Sequence, residues 1–193
     1  QLDVIEALRA RGDANRALAG KLKSHAASAG AAARSELLAG GNPELGRDIV
    51  LNHLNANCMA CHSVEAGGGS EVGPNLRAIG SQRDPAYLLE SLLTPSAQIA
   101  TGFGIVNVTL KDGSQITGTL AKETAAAVSV RLFDGAFKTA ARAEIASQTP
   151  PVSIMPPMAG ILQPRELRDV VAYLVNLDGR RRGNRPARRD GGE

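Results

Sequence analysis

The sequence predicts a mainly α-helical fold that is interrupted by a small antiparallel β-barrel, α+β overall. Apolar residues recur at helical spacing up to about residue 100 and again after Gln163-Pro164. Between these regions, from Phe103 onwards, apolar and polar residues alternate, and Lys111-Asp112-Gly113 and Asp134-Gly135 provide turns. Four or five short strands within about 45 residues are typical of a small barrel.

Each predicted helix has its own start signal, in which Pro follows a residue that can cap the helix. Asn42-Pro43 predicts a helix to about Leu54, Asp84-Pro85 predicts one to about Leu93, and Gln163-Pro164 begins the last one. The Gly-rich residues 63–82 predict a loop. The last helix has one apolar stripe, and the strands are expected over 106–110, 116–120 and 128–132 and near Phe137 and Ile145.

These boundaries divide the chain into four segments. Residues 1–40 form a helical segment, 41–101 together with 150–178 form one helical domain, 102–149 form the inserted barrel, and 179–193 form an Arg-rich disordered tail. The whole chain has a net charge of +3. Residues 180–193 contain six Arg and two acidic residues and therefore carry +4, so the rest of the chain carries −1. A basic tail without a basic folded face does not predict nucleic-acid binding, and no apolar run approaches the ~20 residues that span a bilayer.

The only two cysteines lie three residues apart in Cys58-Met59-Ala60-Cys61-His62. Two thiols at this spacing can add to the two vinyl groups on one edge of a porphyrin, and the following imidazole can reach the iron. This pattern is the attachment signal of c-type haem. It therefore predicts one covalently bound haem c with His62 as an iron ligand.

Three other interpretations of the motif are less consistent with the chain. A redox-active disulfide pair needs a preceding strand, whereas the residues before Cys58 have a helical pattern. A structural zinc site needs four ligands, and beyond Cys58 and Cys61 only His25, His53 and His62 are available among Cys and His. Two unmodified buried cysteines beside a chance His remain the simplest alternative.

A second iron ligand is expected from the Pro-rich segment Ser153-Ile154-Met155-Pro156-Pro157-Met158. Met opposite His is a common ligand pair in electron-transfer haem proteins and raises the reduction potential. We favour Met155, while Met158 stays open as an alternative and His53 is an outside candidate. In Gly73-Pro74-Asn75-Leu76, the Pro74 carbonyl is expected to accept a hydrogen bond from the His62 imidazole.

Taken together, Gly46, the cysteine motif, Gly73-Pro74-Asn75-Leu76, Met155-Pro156 and Val171-Ala172-Tyr173-Leu174 resemble a class I c-type cytochrome. That resemblance implies a mainly α cytochrome c fold, with the first and last helices crossed at Gly46. The intervening strands resemble a small SH3-like barrel.

The chain is most similar to the haem-binding C-terminal domain of large multidomain dehydrogenase-like proteins of Planctomycetes and Verrucomicrobia. In that family Leu110-Lys111-Asp112-Gly113 and Ser153-Ile154-Met155-Pro156 have counterparts, which favours Met155 as a ligand. The resemblance also implies that residues 1–40 end an upstream helical-repeat region.

The resemblance implies a mono-haem electron carrier in the periplasm or at the cell surface, and not an enzyme in itself. The haem site would comprise Cys58, Cys61, His62, Pro74, Leu76 and Met155, with His62 and Met155 on the iron. It would relay electrons from an upstream dehydrogenase domain to a redox partner. The alternatives are a haem-based sensor, or a binding module in which the inserted barrel recognises a partner.

Overall fold

The computed structural model describes residues 35–64 and 69–179 of the 193-residue chain. Most of the predicted N-terminal segment and nearly all of the Arg-rich tail therefore lie outside the described residues. The α-helices are α1 (Pro43–Asn52), α2 (Ile79–Gln82), α3 (Pro85–Leu93) and α4 (Pro164–Val175). Short 3-10 helices cover Cys58–Ala60, Arg142–Glu144 and Met158–Gly160.

The three longer helices begin where the sequence predicts, because their caps satisfy free backbone N–H groups. The Asn42 side chain accepts hydrogen bonds from the backbone N–H groups of Glu44 and Leu45. Asp84 accepts one from Tyr87 at 2.8 Å. At α4 the Glu166 carboxylate accepts from the backbone N–H of Gln163 at 2.7 Å. Helix α2 is a short element that the sequence pattern did not predict.

Helices α1 and α4 pack closely at Gly46, which is buried in α1. A methyl group on Gly46 would overlap the backbone carbonyl of Asp169 and would lie 2.9 Å from the Tyr173 Cβ atom. The Asp169 side chain is itself buried and accepts a 2.7 Å hydrogen bond from the backbone N–H of Asn42, at the start of α1. One turn of α4 therefore binds both the N-terminus and the middle of α1.

The helical part has a hydrophobic core to which all of its longer helices contribute. Its predicted stripe on α4 is buried from Leu167 to Leu174, and Tyr173 is only 2% exposed. The other buried members of this core are Val50, Val64, Leu88, Leu89, Leu92, Met158 and Leu162.

The strands are β1 (Ile105–Leu110), β2 (Gln115–Glu123), β3 (Ala127–Arg131), β4 (Phe137–Ala141) and β5 (Ile145–Gln148). They form one antiparallel sheet in the order β4-β3-β2-β1-β5, with register shifts at Thr109/Leu110 and Leu120/Lys122. One side of the sheet buries a second core of Val106, Val108, Ile116, Val128, Val130 and Ala140.

The predicted fold class, a mainly α cytochrome c fold with an inserted SH3-like barrel, is wrong. Helix makes up about 33% and strand about 21% of the described residues, in four short α-helices beside a single five-stranded sheet. The sheet is open because β4 and β5 are its two edges and do not pair with each other. Alternation within each strand predicts which face is buried, but closure depends on pairing between edge strands, which no local pattern specifies.

The length and hydropathy of the helices test the prediction that the chain does not span a membrane. Among the described residues, no helix is both long enough and apolar enough to cross a bilayer.

We predict that Gly46→Ala destabilises the protein by about 2 kcal/mol or more, because the added methyl group meets backbone that cannot move aside. Urea denaturation measures the change. Gly160→Ala is the matched control, since a Cβ there has no neighbour within 4 Å, and it should change stability by no more than about 0.5 kcal/mol. Equal stabilities of the two variants would contradict the close contact of α1 with α4.

Candidate functional site

The cysteine motif forms a tight turn after α1. Asn57 has a left-handed backbone (φ 39°) and precedes the 3-10 helix that begins at Cys58. The Cys58 carbonyl then accepts hydrogen bonds from the backbone N–H groups of Cys61 at 3.1 Å and of His62 at 2.9 Å. Both cysteines are half-buried free thiols. The turn therefore holds the two thiols and the imidazole in one compact segment.

The electrostatic environment of Cys58 differs from that of a redox-active thiol. Burial raises the pKa of the Cys58 thiol above its ordinary value, and the nearby Cys61 adds a smaller effect in the same direction. Catalytic and redox cysteines instead have lowered pKa values that favour the thiolate. The turn thus favours the protonated thiol of Cys58 over the thiolate.

The His62 imidazole is oriented by the hydrogen bond that the sequence predicts. Its Nδ1 lies 2.8 Å from the backbone carbonyl oxygen of Pro74. A carbonyl can only accept, so Nδ1 carries the proton and Nε2 keeps its lone pair. Burial lowers the pKa of His62, although the Pro74 carbonyl partly opposes this effect. The side chain is therefore favoured in the neutral form that binds metals.

The loop that carries Pro74 folds back on the cysteine turn through backbone hydrogen bonds. Gly73 donates to the Cys61 carbonyl at 2.6 Å, and Leu76 donates to the Ser63 carbonyl at 2.8 Å. A Cβ atom on Gly73 would lie 2.7 Å from His62 Cε1 and 2.9 Å from Nδ1. A side chain at position 73 would therefore displace the imidazole, which occupies that space in the structure.

Beside this turn lies a cleft with about 1120 Å³ of empty space, part of it open to solvent. The structure brings five of the six predicted site residues to its wall: Cys61, His62, Pro74, Leu76 and Met155. Cys58 is not on the wall; it packs against the helical core one 3-10 turn earlier.

The two candidate methionines occupy different environments. Met155 is half-buried and lines the cleft, whereas Met158 is 2% exposed and belongs to the helical core. His53 ends α1, where its Nδ1 accepts a 3.0 Å hydrogen bond from the backbone N–H of Ala56, and it does not line the cleft. Of these three side chains only Met155 is placed to meet a group bound in the cleft.

Helix α3 and the residues around it form a wall of the cleft that the sequence interpretation missed. Arg83, Tyr87 and Ser91 follow one another at intervals of four, and the Arg83 guanidinium carbon lies 4.5 Å from the centre of the Tyr87 ring. The four-residue spacing of Tyr87 and Ser91 marks one face of α3 and was a signal in the sequence, whereas Arg83 lies just before the Asp84 cap of that helix. The same part of the cleft is also lined by five apolar side chains, namely Ile79, Leu88, Leu92, Ile99 and Phe103.

Protein side chains alone do not form a metal site in the part of the chain that the structure describes. Residues 35–64 and 69–179 contain no group of three or more His, Cys, Asp or Glu side chains placed to hold an ion.

We predict that Gly73→Ala displaces the His62 imidazole and lowers, several-fold, the fraction of protein that acquires covalent haem when c-type maturation proteins are coexpressed. Pro74→Ala is the matched control, because the carbonyl that His62 uses belongs to the backbone, and it should cost less than about 1 kcal/mol of stability. Haem staining after denaturing electrophoresis measures the loaded fraction. Normal loading of Gly73→Ala would contradict the assigned role of this glycine.

Comparison with known proteins adds no relative to this description, since no protein-family model and no curated protein matches the chain.

Proposed function

We propose that this chain carries one haem c in the cleft, attached through Cys58 and Cys61 and ligated by His62 and Met155, and that it transfers single electrons. The observation that carries the proposal is the composition of the cleft wall. It combines an imidazole whose Nε2 is free, a thioether and a cysteine of the attachment motif, contributed by distant parts of the chain.

The donor set fits such a group. A haem would take only two ligands from the protein, because its porphyrin would supply the others, so the lack of a larger ligand cluster in the described residues is no obstacle. A neutral imidazole and a thioether form a ligand pair used by electron-transfer haem proteins. The wall is mostly apolar, as a macrocycle requires, and Arg83 is the only Lys or Arg among the described residues that line it.

A bound haem c would supply an iron that takes up and releases one electron. The polypeptide supplies the rest. Cys61 on the wall and Cys58, one 3-10 turn before it, would anchor the porphyrin. His62 is oriented by its bond to the Pro74 carbonyl, which also makes it a stronger donor. Apolar side chains such as Leu76 and Leu92 would pack against the macrocycle and limit its contact with water, which together with Met155 would favour a raised reduction potential.

With His62 and Met155 both bound to the iron, no position would be left for a substrate, so the proposed role is that of an electron carrier and not of an enzyme in itself. We place the protein in the periplasm or at the cell surface, where c-type haem is attached. Its partners would be a dehydrogenase domain of the same polypeptide as electron donor, and a separate redox protein as acceptor. These assignments extend the resemblance in sequence to the function of the cleft.

The first test concerns covalent attachment. Wild-type protein produced with c-type maturation proteins should keep one haem per chain after denaturation, as measured by mass spectrometry. The double variant Cys58→Ser/Cys61→Ser should keep none, because a hydroxyl does not form the thioether. Ser81→Ala, which removes a hydroxyl bonded to the Ala78 carbonyl, is the control and should load normally. A wild-type chain without covalent haem would overturn the proposal.

The second test concerns the ligand from the Pro-rich segment. Met155→Leu should lower the reduction potential and let the reduced protein bind carbon monoxide, whereas the wild type should resist it. Met158→Leu makes the same chemical change in the core, where a volume-conserving substitution costs less than about 1.5 kcal/mol, and should leave both properties unchanged. Ready binding of carbon monoxide by the wild type would instead indicate a haem-based sensor with an open site.

A further inference from the structure

We infer that the five-stranded sheet, together with Ser96 and Ser153, positions Met155 as a ligand and thereby sets how firmly the iron site is closed. This inference rests on the proposed function and deepens it. The segment from residue 149 to residue 155, here called the methionine arm, connects the sheet to the cleft. Its contacts show which side chains and backbone groups hold it.

The methionine arm continues the edge strand β5 along β1. Strand β5 pairs with β1 up to Val108↔Gln148, and the backbone of Thr149 then donates to the Asn107 carbonyl at 3.0 Å. The arm ends this pairing in an isolated bridge in which Ile105 and Val152 exchange hydrogen bonds of 2.8 and 2.9 Å. Met155 is therefore only three residues beyond the last backbone attachment to the sheet.

Two serine hydroxyls hold the rest of the methionine arm. The backbone N–H of Ser153 donates to Ser96 Oγ at 3.1 Å, which ties the arm to the segment that follows α3. The backbone N–H of Met155 donates to Ser153 Oγ, also at 3.1 Å. The arm is thus fixed on one side by the sheet and on the other by the helical part, and Met155 itself is held by a neighbouring hydroxyl.

Gly104 allows the methionine arm to lie this close to the sheet. A Cβ atom at this buried position would lie 2.6 Å from the Cβ atom of Pro151 and 3.4 Å from a side-chain carbon of Ile99. Any side chain at position 104 would push the arm outward. The sheet therefore contributes to the proposed site by fixing the segment that carries the second iron ligand.

The test measures how readily the Met155 ligand is displaced in the haem-loaded protein. Ser96→Ala and Ser153→Ala each remove one acceptor, and losing one hydrogen bond of ordinary strength changes an equilibrium constant about five-fold. We expect each variant to raise the apparent affinity of the reduced protein for carbon monoxide by about that factor and to lower the reduction potential. Gly104→Ala should act in the same direction.

Conservative and matched variants separate positioning from general damage to the fold. Ser96→Thr keeps the hydroxyl and should restore wild-type carbon monoxide affinity and potential. Ser81→Ala is the control for the serine variants, and Gly160→Ala, where no neighbour lies within 4 Å, is the control for Gly104→Ala. Neither control should change either readout.

The outcomes distinguish this inference from the proposal on which it rests. If Met155→Leu changes carbon monoxide binding while both serine variants behave as wild type, the positioning role is wrong and the ligand assignment stands. If Met155→Leu itself changes nothing, the ligand assignment fails and the positioning role falls with it. The inference is supported if Ser96→Ala and Ser153→Ala both change carbon monoxide affinity and reduction potential while Ser96→Thr keeps the wild-type values.

Discussion

The close approach of other segments to the backbone of α4 is the constraint on which the helical part depends. Gly41, Gly46 and Gly80 each lie where a Cβ atom would overlap a backbone carbonyl of α4, namely those of Arg168, Asp169 and Val175. Glycine loses more conformational entropy on folding than any other residue, and at these three positions that loss is offset by the close packing that only glycine permits. Helix α1 and the segment of α2 are thereby brought against the same helix, and the cysteine turn follows directly from α1.

The cleft results from the packing of several segments around α4, and no single segment forms it. The cysteine turn and the Gly73-Pro74 loop form the part with the imidazole, α3 forms another part, and the methionine arm brings Met155. The His62 imidazole donates a hydrogen bond to the Pro74 carbonyl, and the backbone N–H of Met155 donates one to the Ser153 hydroxyl. Each restrains a proposed ligand through a backbone group, which reduces the conformational freedom that binding would otherwise remove.

The sheet has a clear relation to this cleft although none of its strand residues lines it. It lies in the chain between α3 and the methionine arm, and β1 holds the start of that arm through the bridge at Ile105. Its buried face is filled by its own small core of valines, Ile116 and Ala140. Because that core does not depend on side chains of the cleft, the sheet can act as a firm support for the arm.

The sequence alone determined the local features: the starts of α1, α3 and α4, the alternation of the strands, and the hydrogen bond between His62 and Pro74. Each depends on residues within one element, or on a motif whose chemistry allows few arrangements. Only the tertiary structure decided that the sheet stays open, that Met155 lines the cleft while Met158 is buried, and that Ser96 holds the methionine arm. These outcomes depend on which distant segments meet, and chain entropy and packing between segments determine that, not the periodicity of any one of them.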